Sequence, residues 1–181
     1  MNLVAFLVAS SASLFVSVAG LMHSYNMLQS YGIGFIDTSY LILPMLLIFF
    51  QFSTAVFGIS KFLRDRKTQR VIFYTVTGFG ILLSFYLFVV DSFFTDSVIS
   101  SVKDKWVKQI NTRRMRFIEH NLKCCGFSKV GEFSKEQCKE STTTPCLERM
   151  KEMYRSPIKK EGVLHLMELI SFCVMLVINC L

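Results

Sequence analysis

The chain has 181 residues, of which 52% are hydrophobic and only 18% charged, and its formal net charge is +7. A soluble domain carries more charge than this, so the composition excludes an ordinary globular protein. The basic balance could suggest nucleic acid, but Lys and Arg are absent from four long apolar runs at 3–22, 40–60, 71–90 and 163–181.

A helix of about 20 apolar residues crosses the ~30 Å hydrocarbon core. Each run therefore predicts one span, and the chain reads as an all-α membrane protein built on a four-transmembrane-helix bundle. The first span occupies 1–22. It is too long for a signal-peptide core and lacks a basic leader, since no Lys or Arg precedes Lys61. Ala5, Ala9, Ser13 and Ser17 recur every four residues, with Gly20 beyond them. Small residues at this spacing let helix backbones approach closely in lipid, so this face is expected to pack against the second span. A short connector, 23–39, follows as a small outer loop without Lys or Arg.

The second span, 40–60, has Pro44 in its first turn, where the missing N–H costs least. Gln51 lies in mid-span and is expected to hydrogen-bond a neighbouring helix, a bond worth about 1 kcal/mol. Lys61, Arg64, Arg66, Lys67 and Arg70 make 61–70 a short basic loop. Short basic loops stay cytoplasmic, which puts both termini inside and the segments 23–39 and 91–162 outside. The latter loop holds fifteen basic residues against ten acids, but it exceeds the length over which the charge rule is reliable. Its cysteines also suit an oxidising compartment.

The third span is 71–90. Beyond it, Val98, Ile99, Val102, Trp106 and Ile110 repeat at helical spacing, as do Met115, Ile118 and Leu122. Helices at about 91–110 and 114–123 lead into Cys124-Cys125-Gly126. Vicinal cysteines seldom bond each other, so each reaches for Cys138 or Cys146. Two pairings remain open: nested (Cys124–Cys146 with Cys125–Cys138) or crossed. The spacing does not suit a zinc site, which favours paired Cys-x2-4-Cys motifs. Residues 128–145 are polar and read as an exposed segment. Leu147, Met150 and Tyr154 mark a short helix that ends near Pro157, before a fourth span at 163–181.

Within that last span, Glu168 is an ionisable group in lipid and so a functional candidate. It could bond Ser13 or Ser17, or pair with His165 one turn earlier. Cys180 is placed for S-palmitoylation, and Cys173 is expected to be a packed apolar residue. No nucleophile–base pair, phosphate loop or metal cluster points to an enzyme.

Four spans, a small and then a large outer loop, and Cys124-Cys125-Gly126 within the large loop together resemble the tetraspanin family. Residues 117–126 resemble the helix end that enters the family's Cys-Cys-Gly, and Pro145-Cys146 its closing cysteine. The resemblance covers essentially the whole chain. It implies the nested pairing and a disulfide-stapled, helical large extracellular loop. It also implies a positive φ at Gly126, which a Cβ would resist. Function follows as lateral organisation of partner membrane proteins, including other tetraspanins, with no nucleic acid involved. The partner surface would be the segment holding Ser128, Lys129, Phe133, Lys135 and Glu140. The family's acidic position in the last span falls on Glu168. With Gln51, Ser13 and Ser17 it makes a candidate site for a bound sterol or other lipid. The implied location is the plasma membrane or another membrane of the secretory or endosomal route. A subunit of a channel or transporter is the alternative, and it calls for several polar residues along one path. Several features depart from the family, among them the following two. No Glu or Gln lies within 71–90, and the outer loop has four cysteines, the family's minimal set.

Overall fold

The computed structural model describes residues 3–31, 39–64, 66–109, 113–130, 132 and 144–180. Seven helices occur among them, and no strand: α1 (Leu3–Tyr31), α2 (Ser39–Leu63), α3 (Lys67–Phe93), α4 (Thr95–Ser101), α5 (Lys103–Gln109), α6 (Arg113–Leu122) and α7 (Cys146–Cys180). α1, α2, α3 and α7 are each long and apolar enough to cross a membrane, which makes the chain an integral membrane protein. α2 packs between α1 and α3, and α7 closes the ring by packing against both α1 and α3.

Each long helix buries one stripe whose steps alternate between three and four residues. On α1 the stripe is Phe6, Ser10, Ser13, Ser17, Gly20 and Ser24. On α3 it is Phe73, Thr77, Gly80, Ser84, Leu87 and Asp91. This 3.5-residue period is that of left-handed knobs-into-holes packing. Its outward faces remain apolar, as in Phe15, Phe49, Phe79 and Phe85, because they meet lipid rather than water.

The stripes run past the expected ends of the spans. α1 continues beyond residue 22 because Ser24 still belongs to its buried face. α3 continues beyond residue 90 because Asp91 does. The seam on α1 is carried by Ser10 rather than by Ala5 and Ala9, which are only half-buried. Its serines also face α7 rather than α2 alone, since Ser10 Oγ donates to Met175 Sδ at 3.5 Å. α1 meets α2 one turn before Ser10, where Gly58 gives way to the Phe6 ring.

The short helix expected to stop near Pro157 is instead the outer half of α7, a single helix of 35 residues. Proline in a helix interior loses one backbone bond and crowds the preceding turn, at a cost of about 3 kcal/mol. Packing outweighs that cost. Cys146, Met150, Tyr154, Ile158, Glu161, His165, Glu168, Phe172, Met175 and Asn179 are all buried, in one unbroken stripe on both sides of the proline. Cys173 points away from the stripe and is exposed, so it is not packed within the bundle.

The helix expected over 91–110 is divided. Its first residues belong to α3, and the remainder forms α4 and α5, separated by a turn at Val102. α4 contains Thr95, Ser97, Ser100 and Ser101, residues that favour caps and turns over helix interiors. Together with α6 and the start of α7, these helices enclose a second core of Ile99, Val102, Trp106, Ile118, Leu122, Phe127, Met150, Tyr154 and Ile158. The basic loop is also shorter than expected, because α2 runs on to Leu63 and Lys61 lies buried within its last turn.

Candidate functional site

Polar side chains collect inside the bundle where α1, α3 and α7 meet, just beneath the outer core. α1 supplies Ser17 and Ser24, α3 supplies Asp91, and α7 supplies Glu161, His165 and Glu168; all six are at most 4% exposed. Ser17 Oγ donates to Glu168 Oε1 at 2.7 Å. His165 Nδ1 lies 2.9 Å from Glu168 Oε2, and its Nε2 lies 3.5 Å from Asp91 Oδ2. One turn nearer the outer core, Ser24 Oγ donates to Glu161 Oε1. His23 Nε2 lies 3.4 Å from the Pro157 carbonyl oxygen.

An ionisable group within a span is costly unless it is paired. One imidazole here meets two carboxylates, one from α3 and one from its own helix, while serines from α1 donate to Glu168 and to Glu161, whose Oε2 has no hydrogen-bond partner among the described residues. The arrangement fixes the register of three helices against each other, and it can bind and exchange protons. Close approach makes it possible. A Cβ on Gly162 would stand 2.7 Å from Ser92 Oγ, so glycine brings α7 onto the end of α3.

Of the intramembrane candidates, Ser17 and Glu168 are brought into direct contact. Ser13 and Gln51 are buried in the same interior, but Ser13 Oγ and both Gln51 amide atoms have no hydrogen-bond partner among the described residues. The interhelical bond expected of Gln51 is therefore not made. The register explains where they sit. Phe6 faces Gly58, so two turns further along antiparallel helices Ser13 comes opposite Gln51. Thr54 touches Thr77 at 3.4 Å, which places Gln51 opposite Gly80. At the far end of the bundle, Lys61 Nζ donates to the Asn179 carbonyl at 2.8 Å and to Tyr74 Oη at 3.2 Å. Its charge thus meets the partially negative end of α7.

The Cys124–Cys146 disulfide, with Cα atoms 4.8 Å apart, joins the end of α6 to the first residue of α7. That pairing excludes the crossed alternative. Cys125 is also disulfide-bonded, and Cys138 lies outside the described residues. Gly126 has φ 72°, the left-handed value expected of it. Its carbonyl accepts the Cys146 N–H at 2.9 Å, and the Phe127 carbonyl accepts the Leu147 N–H at 2.9 Å. Phe127 packs its ring 5.4 Å from that of Trp106. The bond is therefore set in backbone pairing and in the outer core.

Among the partner-surface candidates, Ser128 and Lys129 are placed. Their backbone N–H groups both donate to Glu132 Oε2, at 2.7 and 3.3 Å, and hold that carboxyl below its ordinary value. Phe133, Lys135 and Glu140 lie outside the described residues. Only the backbone of Cys180, the last residue of α7, is described. Among the described residues no cluster of His, Cys, Asp and Glu is placed to hold a metal ion.

Asp91, Glu161 and Ser24 were not anticipated as part of the site. Their signal was present in the sequence as the three–four repeat: 84, 87, 91 on α3, and 158, 161, 165, 168 on α7. Comparison of the chain with family models, curated proteins and solved structures finds no match.

Proposed function

We propose that this chain is a non-catalytic, tetraspanin-like membrane scaffold, which organises partner membrane proteins laterally through its outer layer and its spans. The observation that carries this reading is the Cys124–Cys146 bond. It ties α6 to the first residue of a helix that runs unbroken into the membrane. The outer core is thereby held on a rigid support, suited to presentation to a neighbour. In this reading both termini are cytoplasmic and the outer core faces the exterior or a lumen. Cys180 is then the acylation candidate, and the interior around Glu168 the candidate site for a sterol.

Crosslinking in intact membranes, followed by mass spectrometry, tests the scaffold. The native chain should recover a defined set of integral membrane proteins. Cys124→Ser with Cys146→Ser should lose it. The same set recovered by an unrelated four-span protein would overturn the proposal. A second reading, an accessory subunit of a channel or transporter complex, draws on the buried polar residues from Glu161 to Gln51, which supply more of a path than the sequence suggested. Ion flux into liposomes holding the purified chain would favour that reading.

A further inference from the structure

We propose that the outer end of α7 carries a binding site for the headgroup of an anionic phospholipid. A groove of about 510 Å³ lies along this helix, lined by Glu152, Arg155, Ser156, Lys159, Lys160 and Val163. Its charge is positive. Glu152, its one acid, is engaged by Arg149 at 3.0 Å. Arg155 is 3.8 Å from Asp96, in a pair exposed on both sides. Lys159 and Lys160 are exposed and make no ion pair among the described residues. The acid next to them in sequence does not compensate, because Glu161 is turned into the bundle at 1% exposure.

The height of the groove selects a lipid. Val163 is 56% exposed and opens the final apolar run, so it marks the edge of the hydrocarbon. Lys160 and Lys159 precede it by three and four residues, a rise of about 5–6 Å along a helix. The headgroup layer occupies roughly the first 5–8 Å beyond the hydrocarbon on each side. The two ammonium groups therefore stand at phosphate level. Arg155 and Ser156 lie about 10–12 Å up, where a long guanidinium side chain can reach down and a hydroxyl can donate. Val163 would meet the acyl chains. An occupant that satisfies both ends is charged above and apolar below, and the leaflet is the one on the side of α4–α6. This inference stands apart from the scaffold reading.

The test uses the full-length chain in nanodiscs of phosphatidylcholine with phosphatidylglycerol, with the retained lipid measured by mass spectrometry after limited delipidation. Phosphatidylglycerol should be retained in preference to phosphatidylcholine. Lys159→Ala with Lys160→Ala should weaken that retention about thirtyfold, two lysines at an anionic surface being removed. Lys159→Arg with Lys160→Arg should keep it, and Lys108→Ala should not alter it. Equal retention of the two lipids, or an unchanged preference in the double alanine variant, would overturn the proposal. Displacement of phosphatidylglycerol by inorganic phosphate would also overturn it, by making the groove a site for soluble anions.

Discussion

The Ser17 hydroxyl reaches across the bundle to Glu168 at 2.7 Å, and it binds the carboxylate oxygen that His165 does not hold. Hydrogen bonds between helices in lipid average about 0.6 kcal/mol and reach about 1.7 kcal/mol. Ser17→Ala should therefore cost about 0.6–1.7 kcal/mol in denaturant unfolding from micelles. Glu168→Leu removes the bond and also strips the buried His165 of its nearest acceptor, so it should cost about 3 kcal/mol or more. The double variant Ser17→Ala with Glu168→Leu should show a coupling energy near that of the single bond. Strict additivity would mean that the contact contributes nothing.

Two glycines hold the spans together by what they leave empty. A Cβ at Gly58 would overlap the Phe6 ring, and one at Gly80 would overlap Phe172. Both rings are fully buried and have little room to retreat. Gly58→Ala and Gly80→Ala should each destabilise the bundle by about 1–3 kcal/mol, the usual cost of overpacking. Gly78 is an internal control on the same helix as Gly80. Nothing lies within 4 Å of a Cβ there, and removing a helical glycine gains about 0.5–1 kcal/mol. Thermal unfolding should thus rank Gly78→Ala above the native chain and Gly80→Ala below it. Adding Phe172→Leu should recover part of the loss in Gly80→Ala.

The spans were legible because twenty apolar residues in a row have few other uses. The Cys124–Cys146 bond was one of the two pairings left open by the spacing of the cysteines. Hidden from a reading by hydrophobicity was the continuation of each helix into polar sequence. Asp91 and Glu161 look like loop residues because they are charged, and Pro157 looks like a stop. Spacing says otherwise: Tyr154, Ile158, Glu161 and His165 step by four, three and four across the proline. Burial of a stripe decided these boundaries, and local propensity did not. The partner of Ser17 was harder still. Its spacing shows that α1 has a packing face but does not say which helix covers it, and that depends on the closure of the ring by α7.

Two carboxylates in the outer layer should give pH dependences of opposite sign. The backbone N–H groups of Ser128 and Lys129 hold Glu132 below the ordinary 4.5, with Lys103 adding to the effect. Its contribution to stability is complete above 4.5 and is lost as the pH falls through the lowered value. Burial pushes Glu119 above 4.5, against the Gly126 N–H that favours the charged form. Its contribution is complete below 4.5 and is lost as the pH rises through the raised value. Trp106 is the chain's one tryptophan and sits in the outer core, so its fluorescence reports melting there. Glu132→Gln should flatten the loss of stability on the acid side, and Glu119→Gln should flatten the gain on mild acidification. If both variants keep the native pH profile, neither carboxyl is held as described.

Lys123 ends α6 with φ 50°, in the left-handed region that L side chains avoid. The Cys124 N–H bonds the Glu119 carbonyl at 3.1 Å and the Lys123 N–H bonds that of His120 at 3.3 Å. These are the paired bonds of a helix end that usually places glycine at this position. A side chain there costs about 1–2 kcal/mol. Glycine would remove that strain, but it would also give the unfolded chain more freedom, worth about 0.5–1 kcal/mol. The strain is the larger effect. Lys123 is exposed, so little packing is lost with its side chain. Lys123→Gly should therefore stabilise the outer core by about 0.5–1 kcal/mol, read as a higher midpoint of the Trp106 fluorescence transition. Lys123→Val should lower that midpoint, because a β-branched residue tolerates a positive φ least. A lower midpoint for the glycine variant would mean that the backbone leaves this conformation at little cost.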